Sequence, residues 1–202
     1  LLAGVQTLAN RLDGVFPPSL AILDEAHHVV ASTWDRVMAA YPDAFILKRG
    51  RLRELQETEI YKKGEIYVQS LSSMLPPLVL DPQPGETILD LTAAPGSKTT
   101  QMACLMKNEG RIVANDNNRV RFFKLKANVE SQGAVNVELS LQYGESFGRK
   151  FPQNFDRVLL DTPCSAEGRF DIREPASYKF WKPAKIKEMV YKQKKLFYSA
   201  VE

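Results

Sequence analysis

The stretch LDLTAAPGSKTT (89–100) has the pattern of a strand that ends in a Gly-bearing turn and continues into a helix. A helix N-terminus carries free backbone N–H groups and a partial positive charge, so such a turn attracts anionic or polar ligand groups. A nucleotide phosphate loop needs Gly six residues before its Lys and Gly directly before it. Thr92 and Ser97 occupy those two positions. This argues against a phosphate loop, and the alternative is a turn that wraps the amino-acid end of a nucleoside cofactor.

Two later segments also place reactive side chains directly after a predicted strand. In VANDNN, Asp116 follows the second strand, where an acid can bind both hydroxyls of a ribose. In VLLDTPCSAEG (158–168), Asp161 and Cys164 follow the fourth strand. A cysteine in a Pro-bounded loop at a ligand edge can act as a nucleophile or as a leaving-group partner once it is deprotonated. Cys104 lies in an apolar helical segment and is interpreted as a small buried hydrophobic residue.

These turns must be positioned by the elements around them, and residues 60–202 alternate short apolar strands with helices. The last helix is predicted from about Pro183 to the end. Such alternation predicts a parallel sheet with helices on both faces, and ligands bind beyond the carboxyl ends of its strands. The predicted strands lie at 86–92, 111–116, 136–141 and 155–161.

Residues 1–59 have a different pattern and are predicted to form a small N-terminal α/β segment. PPSLAILDEAHH predicts a strand that runs into a turn, and ASTWDRVMAAYP predicts a helix that Pro42 ends. DAFILKRGRLRELQETE predicts a strand followed by a polar connection. The chain is thus predicted to have a first segment at 1–59 and a catalytic core at 60–202.

Composition limits the class of protein. Apolar residues make up 44% of the 202, as in globular domains, and no apolar run is long enough to span a bilayer. The two cysteines lie far apart, which favours a reducing, cytoplasmic compartment. From Tyr178 to Lys195 the sequence has seven lysines against one acid, with aromatic residues at its start. This run is typical either of a solvated helix face or of a nucleic-acid surface.

Taken together, three segments resemble the Sun-type RNA (cytosine-5) methyltransferases: YVQSLSSMLPPLVLDPQPGETILDLTAAPGSKTTQMA, IVANDNNRVRFFKLKAN and FDRVLLDTPCSAEGRF. The resemblance covers about residues 41–202. It implies a Rossmann-like core, S-adenosyl-L-methionine as methyl donor, tRNA or rRNA as partner, 5-methylcytosine as product and no metal. It also implies that the cofactor-binding residues are Ala94, Pro95, Gly96, Ser97, Lys98, Asp116, Arg121 and Asp161, and that the catalytic residues are Cys164, Asp161 and Lys98.

The chemistry of that family explains these residue types. A thiolate adds to carbon 6 of cytosine, a carboxyl near ring nitrogen 3 supports the developing charge, and carbon 5 then attacks the methyl donor. By resemblance, Asp161 faces the target cytosine with Lys98 close by, and Cys164 assists product release. An acid on the adenine side is expected in YGES (143–146), where Glu145 is the only candidate.

The sequence departs from the family in the attacking cysteine. In the family that residue belongs to a Thr-Cys pair at the end of a fifth strand, and no such pair occurs in these 202 residues. Cys164 could attack in place of the missing cysteine, but we consider this alternative weaker than its role in product release. We expect a catalytic core truncated after its fourth strand, with an open edge at 155–161 and with little or no activity alone.

The stretch around AILDEAHHVV (21–30) resembles a DEAH-box helicase near its second motif, over about residues 5–44. There Asp24 and Glu25 would handle magnesium and water, and His27 would couple hydrolysis to strand movement. Carboxylates that hold magnesium need a phosphate cradle opposite them, and the sequence has none. Two alternatives to the methyltransferase thus stay open: an ATP-dependent helicase fragment, and a non-catalytic cofactor- or RNA-binding fragment.

Overall fold

The structure, a computed structural model, describes residues 21–23, 44–46 and 52–202. A small parallel sheet in the order β2-β1-β3 lies near the N-terminus. Its strands and the two short helices that follow β2 in the chain are β1 (Ala21–Leu23), β2 (Ala44–Ile46), α1 (Leu52–Gln56), α2 (Glu59–Lys62) and β3 (Val68–Gln69). The strands predicted around 21–23 and 44–46 are confirmed, whereas the helix in ASTWDRVMAAYP and the residues Asp24, Glu25 and His27 lie outside the described residues.

The second sheet contains four parallel strands in the order β6-β5-β4-β7. They are β4 (Thr87–Asp90), β5 (Arg111–Asn115), β6 (Val137–Ser140) and β7 (Arg157–Leu159). Each predicted strand is present and is at most two residues shorter at either end. The longer helices are α3 (Leu71–Leu80), α4 (Ser97–Leu105), α5 (Arg119–Ser131) and α7 (Ala184–Val201), and α6 (Phe147–Lys150) is a single turn.

Strand alternation places helices on both faces of this sheet. Ile88 of β4 joins a core cluster that contains Met102 of α4 and Leu125 of α5. The next residue, Leu89, joins a second cluster with Phe147 of α6 and Leu196 of α7. Because successive side chains of a strand point to opposite faces, the two clusters lie on the two sides of the sheet. The predicted fold class is confirmed at this level.

The outermost described strands of the sheet are β6 and β7. β7 pairs with β4 through Val158 and its neighbours, and it has no second strand partner among the described residues. This agrees with the open edge expected at 155–161. None of the described helices is long and apolar enough to cross a bilayer.

The interpretation of Cys104 as a buried residue is wrong. α4 buries Thr99 to Ala103, and Met106 follows in the core, but Cys104 is exposed. Each helical residue turns about 100° from the previous one, so the residue after a buried stretch can point to solvent. Apolar neighbours in the sequence were therefore a poor guide to the face on which Cys104 lies.

Candidate active site

A cleft of about 330 Å³ opens at the carboxyl ends of β4, β5 and β7. It is the edge at which parallel α/β sheets bind ligands. Six of the predicted site residues line it: Ala94, Pro95, Asp116, Arg121, Asp161 and Cys164. A larger cleft of about 490 Å³ lies beside β7 and the end of α7, and none of the predicted site residues lines it. The smaller cleft is therefore the candidate site.

The turn after β4 passes along the floor of the cleft. Gly96 caps α4 with φ = +109°, and a Cβ there would lie 2.9 Å from Cδ1 of Leu125, so this position requires glycine. Arg121 donates to the carbonyl of Ala94, and Asn128 donates to that of Pro95 at 2.8 Å. Two carbonyl groups of the turn are thus held by α5.

The predicted residues Gly96, Ser97 and Lys98 do not line the cleft itself. They form the N-cap and first turn of α4, behind the cleft-lining Ala94 and Pro95. Lys98 nevertheless reaches the site, because its Nζ lies 2.7 Å from Oδ2 of Asp161. The side chain of Lys98 is 16% exposed and that of Asp161 is 56% exposed.

Asp116 lies at the end of β5 and is 3% exposed. Its Oδ1 accepts the backbone N–H of Asn118 at 2.8 Å, and its Oδ2 lies 3.5 Å from Nη2 of Arg121. A carboxylate offers about four lone-pair sites. Asp116 therefore keeps acceptor capacity for two hydroxyls of a ligand.

The loop after β7 is held from two directions. Thr92 donates its hydroxyl to the carbonyl of Asp161 at 2.7 Å, and Gln193 of α7 donates its amide to the carbonyl of Pro163 at 2.9 Å. These contacts fix the backbone on either side of Thr162. Cys164 follows in an exposed position on the cleft wall.

Asp90, the last residue of β4, is a site-supporting residue that the sequence interpretation missed. It is 1% exposed, and its Oδ2 accepts the hydroxyl of Thr99 at 2.7 Å. Burial raises the pKa of Asp90 to about 7, against the opposing effects of the Thr99 hydrogen bond and the Lys98 charge. The available signal was an acid at the end of an apolar strand, directly before the Gly-bearing turn.

Asn115 and Lys192 were also missed. The Asn115 carboxamide is buried. Its Nδ2 donates to the carbonyls of Leu91 and Gln142 at 3.1 Å each, and its Oδ1 accepts the backbone N–H of Gln142 at 3.0 Å. Lys192 of α7 lines the cleft, and no ion pair holds it within the described part of the chain. Lys192 is one of the seven lysines of the basic run, and nothing in the sequence distinguishes it from the other six.

Glu145 does not line the cleft, although its neighbour Gly144 does. Among the described residues, the buried Oε2 of Glu145 has no hydrogen-bond partner. The cleft geometry therefore gives no support to Glu145 as an adenine contact. No group of three or more His, Cys, Asp or Glu side chains in the described ranges is arranged to hold a metal ion.

A family model described as "16S rRNA methyltransferase RsmB/F" matches residues 77–202, more than half of the chain. The chain belongs to this family. Its matched residues contain β4 to β7 and the whole candidate site. The expected resemblance to RNA (cytosine-5) methyltransferases and the Rossmann-like methyltransferase fold are thereby confirmed.

Two curated relatives show how far the similarity of this RsmB/F-family chain extends. A tRNA (cytosine(49)-C(5))-methyltransferase of Pyrococcus abyssi is 40% identical over 95% of this chain and 59% of its own length. A ribosomal RNA small subunit methyltransferase F of Vibrio parahaemolyticus is 45% identical over 72% of this chain and 31% of its own length. The chain thus spans less than two thirds of the length of these relatives.

Among solved structures, NSun6 from Pyrococcus horikoshii with SFG matches with a TM-score of 0.64 and 30% identity. That match covers 77% of this RsmB/F-family chain and 38% of the other. The P. abyssi match leaves out only about 5% of this chain, so it includes residues 21–30, which resembled a helicase. These comparisons give no support to the helicase alternative.

Proposed function

We propose that the chain carries the cofactor-binding and cytosine-facing half of an S-adenosyl-L-methionine-dependent RNA (cytosine-5) methyltransferase. The observation that carries this proposal is the single cleft lined by Asp116, which follows β5, and by Asp161 and Cys164, which both follow β7. An acid for a ribose and an acid–thiol pair for a base thus face the same space. The names of the relatives, which modify tRNA or ribosomal RNA, favour RNA as the substrate class.

The cleft fits this cofactor. Its volume of about 330 Å³ falls at the small end of ligand pockets. We assign the ribose hydroxyls to Asp116, with Arg121 beside it, and the amino-acid end to the turn of Ala94 and Pro95 and the helix start behind it. That start, formed by Gly96, Ser97 and Lys98, supplies free N–H groups. When bound, the cofactor supplies an electrophilic methyl group.

The other half of the cleft acts on the base. We assign Asp161 to ring nitrogen 3 of the target cytosine, where a carboxyl supports the charge that develops as carbon 6 is attacked. Lys98, at 2.7 Å, orients this carboxyl and balances its charge. Cys164 is assigned to product release. The sequence contains no Thr-Cys pair, and low activity of the chain alone stays a prediction.

A basic surface on α7 supports RNA as the partner. Lys185, Lys187, Lys194 and Lys195 are exposed on this helix, Lys182 is exposed just before it, and Tyr191 presents its ring beside Lys195 at 4.5 Å. Cations that neutralise phosphates and rings that stack on bases are what single-stranded RNA binding needs. Lys192 of the same helix lines the cleft, so RNA on this surface would lead a nucleotide towards Asp161.

The two cysteines form no disulfide with each other, and we place the protein in the cytoplasm on that ground.

Melting temperatures with ligands test this proposal against its alternatives. We expect S-adenosyl-L-methionine to raise the melting temperature, since a ligand that binds the folded state alone stabilises it. ATP with magnesium should leave it unchanged. A shift with ATP and magnesium but none with the methyl donor would favour the helicase alternative and overturn the proposal.

Methyl transfer separates an enzyme from a binding fragment. The chain is incubated with methyl-labelled cofactor and unmodified tRNA or ribosomal RNA, and labelled 5-methylcytosine is measured after nuclease digestion. We expect cofactor binding together with a low rate of transfer. Cofactor binding with no label in cytosine, even in a single-turnover assay at excess protein, would favour the non-catalytic alternative.

A further inference from the structure

We propose that Ser73, in the first turn of α3, is a positioning residue that holds the Lys98 ammonium beside Asp161. The assignment rests on the proposed function, because it concerns the lysine that orients the base-facing carboxyl. Ser73 lies before the residues that the family model matches, so its role is argued from contacts alone.

The Lys98 ammonium has acceptors on two sides. Its Nζ lies 2.7 Å from Oδ2 of Asp161 and donates to Oγ of Ser73 at 3.1 Å. The Ser73 hydroxyl is also 3.3 Å from Oγ of Ser97, which precedes Lys98. A hydroxyl accepts and donates at once, so Ser73 can accept from Lys98 while it donates to Ser97. One hydroxyl therefore contacts both the tip of Lys98 and the start of its helix.

Asp161 alone is a weak anchor for this lysine. Its carboxylate is more than half exposed, and exposed ion pairs hold their partners loosely because water and salt screen them. Lysine also carries its charge on a flexible four-carbon stem. A second acceptor on a fixed element is what converts a loose ion pair into a defined position.

Ser73 is on such a fixed element. Gln101, about one turn along α4 from Lys98, donates to the carbonyl of Met74 at 2.9 Å and accepts from Gln69 at 3.0 Å. Met74, next to Ser73, is fully buried. The amide contacts tie β3, α3 and α4 together beside the Ser73–Lys98 contact, so the hydroxyl and the ammonium are held at a fixed separation.

Lysine reactivity measures this role directly. The folded protein is treated with a dilute amine-acylating ester, and acylation of each lysine is followed by peptide mass spectrometry. In Ser73→Ala we expect Lys98 to react about tenfold faster, because a hydrogen bond to a charged group is lost and the side chain is freed. Ser73→Thr, which keeps a hydroxyl, should stay within about threefold of the original protein.

Two controls separate positioning from general loosening. Ser131→Ala removes an exposed helical serine that bonds the Asn128 carbonyl, and it should leave Lys98 unaffected. Lys124, exposed on α5, reports any global change in the same digest. Ser73→Cys, a second variant with a weaker acceptor, should give an intermediate rate for Lys98 if Ser73→Ala does not fold.

Comparing the methyl-transfer rate with the cofactor affinity gives a second test. In single-turnover methyl transfer, Ser73→Ala should lower the transfer rate about tenfold, because the Lys98 side chain orients Asp161. Cofactor affinity should stay within about twofold, because the helix start is assigned to the cofactor through its backbone N–H groups, which the change leaves in place. The acylation rate decides the assignment in either case. A Lys98 rate in Ser73→Ala within about twofold of the original, or no larger a rise than at Lys124, would overturn it.

The outcomes for this inference and for the proposed function are distinguishable. A protein that binds no S-adenosyl-L-methionine contradicts the proposed function but leaves the Lys98 acylation result intact. Normal cofactor binding with unchanged Lys98 acylation in Ser73→Ala contradicts only the role of Ser73.

Discussion

The two ion pairs of the cleft are built in opposite ways. In the pair Asp116–Arg121 the acid is 3% exposed and the cation 48% exposed. In the pair Asp161–Lys98 the cation is 16% exposed and the acid 56% exposed. Asp116 and Lys98, the less exposed members, are held by hydrogen bonds, whereas Asp161, the exposed acid of its pair, is open to the cleft.

The acid is the less exposed member of one pair and the cation is that of the other, and this difference matches the two kinds of ligand group that we assign to the cleft. Ribose hydroxyls donate hydrogen bonds, so the cofactor side uses a fixed carboxylate. The base side uses an accessible carboxylate that a fixed ammonium orients. Under this assignment the same two residue types would serve a binding role on one side and a catalytic role on the other, according to which of them is less exposed.

The largest effect is expected from Asp116→Ala. Two hydrogen bonds to a charged group are lost, so the dissociation constant for the methyl donor should rise about 100-fold. Titration calorimetry measures it, and Glu130→Gln, on the exposed face of α5, is the matched control. An affinity within about threefold of the original would remove Asp116 from the ribose role and break the comparison.

The second prediction concerns Asp90, the buried acid whose pKa the Lys98 charge opposes. Its pKa is raised from 3.8 to about 7, so in that interval the folded state keeps a proton that the unfolded state releases. Stability from this residue is therefore present at low pH and is lost as pH rises towards 7. Between about pH 5 and pH 6 the free energy of unfolding should fall by about 1.4 kcal/mol on account of Asp90.

Urea denaturation at several pH values checks this slope. Asp90→Asn keeps the shape of the side chain and removes its titration, so the slope should become flatter by that amount. Equal slopes in the two proteins would contradict the raised pKa.

The third prediction compares the exposed members of the two pairs. Asp161→Asn leaves the partly buried Lys98 ammonium without its nearest counter-charge, and Arg121→Met does the same to buried Asp116. Each change should lower the free energy of unfolding by about 1 kcal/mol, reduced by solvent screening from the cost in a fully buried pair. Glu138→Gln, which breaks the exposed pair with Arg111, should cost less than about 0.5 kcal/mol in the same denaturation series. Equal costs in all three variants would show that burial of one partner does not matter.

The smallest effect is expected from Lys192→Gln. A lysine that contacts one phosphate should contribute about one unit to the slope of RNA affinity against salt, and its loss should weaken binding a few-fold. Fluorescence anisotropy with a short RNA at several salt concentrations measures both. Lys107→Gln, in the turn between α4 and β5 at the opposite end of the strands, is the control. Identical salt slopes for the two variants would argue against an RNA contact at Lys192.

Much of the site was predictable from local patterns. The four strands follow from short apolar runs, and the placement of Asp116 and Asp161 at one edge follows from the rule that parallel strands end together. The turn needs Gly96, and the helix start directly behind it is the feature that predicts a bound polar ligand group.

The missed residues depend on packing between segments that lie far apart in the sequence. Asp90 looks like any strand end until its burial is known, and the contact of Ser73 with Lys98 needs the docking of α3 on α4. The prediction for Cys104 is wrong for a local reason: apolar neighbours do not show on which face of a helix a residue lies.

Asn115 gives the cleft a property of its own. A carboxamide has the same hydrogen-bonding groups as a peptide bond, so this side chain acts as a surrogate backbone unit between the chain after β4 and the chain after β6. Parallel strands that separate would otherwise leave their last polar groups without partners, and the gap would close or fill with water. Here one amide of β5 bonds to both flanking segments, so the chain after β4 and the chain after β6 are joined next to the cleft.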